Sequence, residues 1–498
     1  MPQRFPIAAI AASPARAAGG PLVPGVVFDA IRMRLVEIGQ ALTDLPEETG
    51  APNSAQGTSS GGEGLAASPE MRSQLRELSL FPYHLELGRR SDRLPVQLDA
   101  RLTLLKGSAA QMKRTIMGLV LAATVTLTLS ACGSDSGSGG GSGADTIKIG
   151  LNYELSGAVA TYGQASVDGI KMAVDEINAA GGVQGKQIEL VIYDNKSEPA
   201  EATTLATKLM TQDNVLAVIG PATSGSFKAT IPVANSNKVP VVSGSATADD
   251  VTVDANGVQE FAFRTCFNDS FQGTAMANYA AKTLDAKSAV IVKDNSSDYA
   301  KGLAEAFKST FEDNGGQIVG EEAYVAGDTD FNAVLTRVKG LNFDVIYLPG
   351  YYQEAGLIIK AARELGIDAP VLGADGFDSP DLLNLAGEAA LNDVFFTNHY
   401  SSLDQDPKVV QFIEDFKAKY GEEPNAFHAL GYDTAKFVAD AIERAEELTG
   451  QAVRDALAST VDFPAVTGTL SIDENHNPVK DIVVIGLKDG VQATSERI

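Results

Sequence analysis

Three hydroxyl side chains stand where a sheet could offer them to a ligand. "ATSGS" follows the apolar run "VLAVI" and puts Ser224 at the start of a helix. "GSAT" follows "VPVVS" and puts Ser245 and Thr247 at the next edge. Both stretches end strands, and open α/β sheets bind ligands outside the C-terminal ends of their strands. A carboxylate is satisfied there by hydroxyls and by the free N–H groups of a helix start. Serine and threonine also serve as plain N-caps, and that reading stays open. "GADGFDSP" follows "PVL" and carries two acids, Asp375 and Asp378. Either could face a cation, and Asp378 could instead cap the helix after Ser379-Pro380.

The same stretches fail as catalytic motifs. "GPATSGS" at 220–226 has glycines spaced as in a P-loop, but Ser226 and Phe227 stand where lysine and Ser/Thr are needed. No GxGxxG follows the first strand, and no GxSxG elbow occurs from Thr146 onward. The four histidines, His84, His399, His428 and His476, are scattered, without an HExxH. The two cysteines, Cys132 and Cys266, cannot form a disulfide framework or a cysteine-rich zinc site. The chain is therefore expected not to be an enzyme, and no metal and no cofactor are expected. Its formal charge of −25 argues against nucleic acid and against an anionic membrane as main partner.

The elements that must hold these residues form a regular series from Thr146 onward. "TIKIGLN" alternates as a strand, and Val167, Ile170, Val174 and Ile177 recur at helical spacing over 163–180. Strand "QIELVIY", helix 198–213, strand "VLAVI", helix 225–236 and strand "VPVVS" follow. The rhythm restarts after Arg264 with helix 270–284, "SAVIVK", 299–314, "IVGEEAY", 330–340, "FDVIYL", 352–366 and "PVLGA". Such alternation predicts parallel sheets covered on both faces. After "DVFFTN" we expect helices at 407–420 and 425–448, a short helix and two strands. That tail is too small for a third domain, so it is expected to return to the first lobe and cross back to the second. The expected division is 146–265 with 399–471 for lobe 1, and 266–398 with 472–498 for lobe 2. Repeated crossings would make a hinge.

Upstream, Met112-Lys113-Arg114 precedes "TIMGLVLAATVTLTL" at 115–129, and "LSAC" ends at Cys132. A positive start, an apolar run of about fifteen residues and a small-residue end make a secretory signal over 112–131. The run falls short of the roughly twenty residues of a membrane-spanning helix. "LSAC" resembles the lipobox of bacterial lipoproteins, which implies cleavage before Cys132 and its acylation. Residues 132–145 are a glycine-serine tether. Signals act near the start of a chain, so translation is expected to begin at Met112, with 1–111 an extension of the gene model or a disordered segment.

From "YELSGAVATYGQASVDGIKMAVDEINAAGGVQGKQIELVIYDNKSEP" onward the chain resembles the leucine/isoleucine/valine-binding proteins of branched-chain amino acid ABC importers. "FRTCFNDSFQG", "DNSSDYAKGLAEAF" and "GYYQEAGLIIKAARELG" follow in the family's order. The resemblance implies a type I periplasmic-binding fold, with two doubly wound parallel-sheet lobes joined by a multi-crossing hinge. It implies an extracytoplasmic receptor, lipid-anchored to the bacterial cell membrane, that delivers an aliphatic amino acid to permease subunits, as a monomer. An amide, urea or aromatic acid ligand, or a sensing role, is the alternative.

An amino acid brings a carboxylate and an ammonium, and neither can be buried unpaired. By the resemblance, Ser224 binds the carboxylate, Thr247 meets both groups, Ser245 gives its carbonyl to the ammonium, and Ala222 and Ala246 add contacts. Asp375 takes the family's acidic position, where many relatives have glutamate; its reach is shorter by roughly an ångström. Tyr162, Tyr299 and Tyr351 are implied as pocket walls, and Tyr352 as packing between lobes. Cys266 is read as a small buried hydrophobe.

Overall fold

The computed structural model describes residues 146–498. The expected signal at 112–131, Cys132, the tether and residues 1–111 lie outside the described residues. The first sheet contains β1 (Ile147–Tyr153), β2 (Ile188–Asp194), β3 (Ala217–Ile219) and β4 (Val241–Ser243). A two-stranded ribbon, β5 (Val253–Asp254) with β6 (Gly257–Val258), precedes β7 (Ala262–Arg264). The sheet order is β2-β1-β3-β4-β7, all parallel. Three helices alternate with its strands: α1 (Ala160–Ala179), α2 (Pro199–Thr211) and α3 (Ser224–Asn237). The strand "IKIGLNY" is buried on both faces despite its alternating composition, as a parallel strand covered by helices must be.

The second unit begins with α4 (Asp269–Lys282), β8 (Ser288–Asp294), α5 (Asp298–Asp313) and β9 (Gln317–Tyr324). It continues with α6 (Asn332–Lys339), β10 (Val345–Tyr347), α7 (Tyr352–Glu364) and β11 (Val371–Gly373). Then come α8 (Pro380–Ala386) and β12 (Val394–Asn398). The chain next forms α9 (Pro407–Tyr420) and α10 (Ala426–Arg444), and α10 packs along α1. Glycines allow that approach. A methyl at Gly169 would stand 2.0 Å from the His428 carbonyl oxygen, and one at Gly431 would stand 2.2 Å from that of Ser166.

The tail differs from the expected short helix and two strands. After α11 (Gly450–Ala458) come β13 (Phe463–Ala465), β14 (Gly468–Ile472) and β15 (Pro478–Val479), a small antiparallel sheet. Then β16 (Val483–Lys488) and β17 (Val491–Arg497) join β12, giving the order β17-β16-β12-β11-β10-β8-β9. Both of these last pairings are antiparallel, so the second sheet is mixed, not wholly parallel. A hairpin forces this. Asp489 and Gly490, with φ of 50° and 78°, make the tight turn that a two-residue Asp-Gly loop favours. The expected helix over 425–448 ends at Arg444, because Thr449 caps a separate helix through the Ala452 N–H at 3.3 Å.

The N-terminus of α10 is closed by Asn425 and His428. Asn425 Oδ1 accepts the His428 N–H at 3.3 Å, and His428 Nδ1 accepts the Asn425 N–H at 3.0 Å. The ring must be neutral at Nδ1 to do so. Burial holds His428 and His399 each down to about 4. The unfolded chain therefore takes up protons between about pH 6.5 and 4 that the folded chain refuses, and stability falls with pH through that window. Thermal melts between pH 7 and 4.5 should show it, and His428→Asn should flatten part of the slope.

Candidate ligand site

Between the strand ends of the two sheets lies a narrow cavity of about 10 Å³, room for roughly one water. Its lining includes Tyr162, Ala222, Thr223, Ser224, Ser245, Tyr299, Tyr351, Asp375, Gly376 and Phe427. Seven residues singled out from sequence are thus brought together. Ala246 and Thr247 are fully buried and lie outside the lining.

On the first-sheet side, β3 delivers the chain to the start of α3. Thr223 is the N-cap residue, but no side chain caps the helix. Its hydroxyl is spent on Glu154, at 2.8 Å. Ser224 is therefore not a cap. Its Oγ accepts the Ala248 N–H at 3.0 Å, which leaves its O–H free to donate. An uncapped helix start beside a free hydroxyl favours an anion.

The loop before it is built on Glu154, a buried acid at the end of β1. The carboxylate accepts the N–H groups of Ala222 (2.9 Å) and Thr223 (3.1 Å). Burial raises its pKa, and these donors oppose the rise. The Ala222 N–H is thus already used, and the Ala222 carbonyl accepts the Ser245 hydroxyl at 3.0 Å. The N–H groups of Ser245 and Ala246 go to Ser243 Oγ. The Thr247 carbonyl accepts the Asp269 N–H at 2.8 Å, whereas Thr247 Oγ1 has no partner.

On the second-sheet side, Asp375 opens the turn after β11 and is buried. Tyr299 OH donates to its Oδ1 at 2.7 Å, and Gln272 Nε2 reaches the same oxygen at 3.2 Å. His399 Nε2 lies 3.2 Å from Oδ2. Gln272 is fixed in turn by the Thr397 hydroxyl, which donates to its Oε1 at 2.8 Å. Burial holds the phenols of Tyr162, Tyr299 and Tyr351 well above their usual range, so they act as donors. No Lys or Arg side chain pairs with Asp375 among the described residues. Asp269, at the start of α4, is a second buried acid with both oxygens unpartnered. Burial raises its pKa well above the carboxylate range, and Asp375 adds to the rise.

Asp378 does not cap α8. Ser379 does, accepting the Asp381 N–H at 3.1 Å. Asp378 Oδ2 instead accepts from Asn398 Nδ2 at 2.8 Å and from the Ala426 N–H at 2.9 Å.

Aromatic rings close the cavity. Tyr162 stacks on Phe427 with centroids 4.2 Å apart and meets the edges of Tyr351 and Tyr352 at 5.7 and 5.2 Å. The Tyr162 hydroxyl donates to the Gly376 carbonyl. Tyr352 OH donates to the Ala158 carbonyl at 3.1 Å, a contact between the two sheet units. Cys266 is buried, and burial pushes its thiol up to about 12.

Sequence reasoning missed Glu154, Gln272, His399 and Phe427. Gln272 and Phe427 lie on helices, and Glu154 and His399 lie just past strand ends. Only the Asn425 cap placed before "AFH" marked Phe427 as standing at a helix start.

A family model described as periplasmic binding protein matches residues 146–492. The leucine-, isoleucine-, valine-, threonine- and alanine-binding protein of Pseudomonas aeruginosa is 34% identical over 332 residues, covering 66% of this chain and 87% of that protein. Among solved structures, the branched-chain amino acid transporter substrate-binding protein LivJ of Streptococcus pneumoniae, in complex with isoleucine, is 45% identical with a TM-score of 0.68. That match covers 71% of this chain and 99% of the other. A leucine-binding protein of Thermotoga maritima is 36% identical with a TM-score of 0.67, covering 71% and 99%. With two mostly parallel sheet units, a cavity between their strand ends and a family match over most of its length, the chain belongs to the periplasmic binding protein family.

Proposed function

We propose that this chain is the extracytoplasmic solute-binding receptor of an ABC importer, and that it captures a branched-chain or other aliphatic amino acid between two closing lobes. The lobes are 146–265 with 399–471, and 266–398 with 472–498. The observation that carries the reading is the pairing of opposite chemistries across one cavity. Ser224 and the uncapped start of α3 suit a carboxylate. Asp375, held by neutral donors only, suits an ammonium. An aromatic acid would bring an anion without a cation and leave Asp375 unanswered. The Tyr162, Tyr351 and Phe427 rings supply an apolar wall for the side chain. The relatives named for leucine, isoleucine and valine support the same ligand class. The chemistry is binding and release, not catalysis, and the ligand passes to permease subunits.

The chain is further proposed to be exported by the signal at 112–131, acylated at Cys132, and tethered by 132–145 as a monomer. Native mass spectrometry of the purified chain tests the ligand. A retained mass equal to leucine, isoleucine or valine supports the reading, and a retained amide or benzoate contradicts it.

Closure should draw on contacts between lobes. Lys228 on α3 pairs with Asp250 at 2.6 Å and with Asp298, the first residue of α5, at 2.9 Å. These side chains are partly exposed, so the bridge is weak and salt-sensitive. Lys228→Ala should speed leucine release by about two- to fivefold in stopped-flow displacement at low salt, and by less at high salt.

A further inference from the structure

His399 stands alone in "TNHYS", at the start of the second connection between the sheets. Its ring stacks on Phe267, from the first connection, with centroids 3.6 Å apart and planes 18° apart. The stack fixes the ring plane and aims Nε2 at Asp375 Oδ2, 3.2 Å away. Nδ1 is buried without a partner.

A neutral imidazole has one N–H and one bare nitrogen. A proton on Nδ1 would leave a buried N–H unpaired and set a bare nitrogen against a carboxylate oxygen. The proton therefore belongs on Nε2. Two charged groups face the ring. Asp375 favours its charged form, whereas burial and Lys480, from the third connection, oppose it; burial outweighs Asp375 and keeps the ring neutral. Asp375 itself also faces Asp269 and Tyr299. Its three donors, Tyr299, Gln272 and His399, are all uncharged, so none of them cancels its charge.

We propose that His399 is a positioning residue for cation recognition: clamped on Phe267 as a neutral Nε2–H donor, it orients Asp375 Oδ2 and leaves the carboxylate's charge whole for a ligand ammonium. The inference rests on the amino-acid reading above. A cationic side chain at this place would pair with Asp375 itself and compete with the ligand.

Two variants of the full chain separate donation from packing. His399→Phe keeps a flat ring on Phe267 and has no N–H. His399→Gln keeps an N–H donor and loses the ring. Each is melted thermally and then titrated calorimetrically with leucine beside the wild type. His399→Gln should bind within about threefold of wild type, and His399→Phe should bind about ten- to a hundredfold more weakly, the span expected for a hydrogen bond to a charged group. The reverse order, or equal losses in both, would overturn the proposal. Imidazole 15N spectra of the wild-type full chain at pH 7 provide a ligand-independent reading. A neutral ring protonated at Nε2 supports the proposal, and a charged ring or an Nδ1 proton overturns it. A wild type that gives no heat with leucine, isoleucine or valine sinks the amino-acid reading and this inference together, whereas a binding wild type with the wrong variant order sinks this inference alone.

Discussion

Asp375→Asn should weaken leucine binding by at least about a hundredfold, a loss of roughly 3 kcal/mol, while the fold stays intact. Truncating one partner of a buried, hydrogen-bonded charge pair costs about 2–5 kcal/mol, mostly because the other charge is left buried and unpaired. Here the stranded charge would be the ligand's ammonium. Asparagine keeps nearly the same volume, so the loss would report charge and not shape. The ligand-free protein should melt no lower than wild type. Asp375 lies near a second buried acid, Asp269, and its charge disfavours the ionised form of Asp269. Removing one charge relieves that repulsion. Calorimetry gives the first number and a thermal melt the second; unchanged affinity would show that another group holds the ammonium.

Arg264→Met should destabilise the folded chain by about 3–5 kcal/mol, the range for removing one member of a buried charged network. Arg264 is completely buried at the end of β7. Its NH1 donates to the carbonyls of Thr247 (2.9 Å) and Ala248 (2.8 Å), and its Nε donates to Asn477 Oδ1 at 2.7 Å. Methionine fills similar space but leaves those acceptors unsatisfied, and it withdraws a cation that favours the charged form of Asp269. Asn477 Oδ1 also accepts the Thr252 hydroxyl at 2.7 Å, so the third connection between the sheets would loosen as well. Urea unfolding monitors the effect. Arg264→Lys should recover only part of it, because an ammonium cannot reproduce the fork. A loss under about 1 kcal/mol would mean that the loop is held by other contacts.

Much of the frame was legible because βα alternation writes itself into hydrophobic spacing. Ser224, Ser245 and Asp375 follow strands directly, so naming the strands also named the cavity rim. Ser224 turned out to be no cap because Thr223 takes that place, a one-residue difference that periodicity cannot resolve. Gln272 and His399 were invisible for another reason. Their partner is Asp375, more than twenty residues away from either, and their local patterns are those of a solvated glutamine and a lone histidine. Glu154 read as part of a motif, yet its work is to hold the N–H groups of Ala222 and Thr223 across 68 and 69 residues. The three strands β13 to β15 have three, five and two residues, too short for any periodic signal. The antiparallel edge was better marked, since "KDGVQ" carries its own turn chemistry.

One titration addresses the central claim. The full chain, freed of any retained ligand, is titrated calorimetrically with leucine, isoleucine and valine in turn, and with benzoate and an uncharged aliphatic amide alongside. Saturable heat at one site per chain with at least one of the three amino acids, and none with benzoate or the amide, is the predicted result. No heat with any of the three, together with saturable binding of benzoate or the amide, would contradict it.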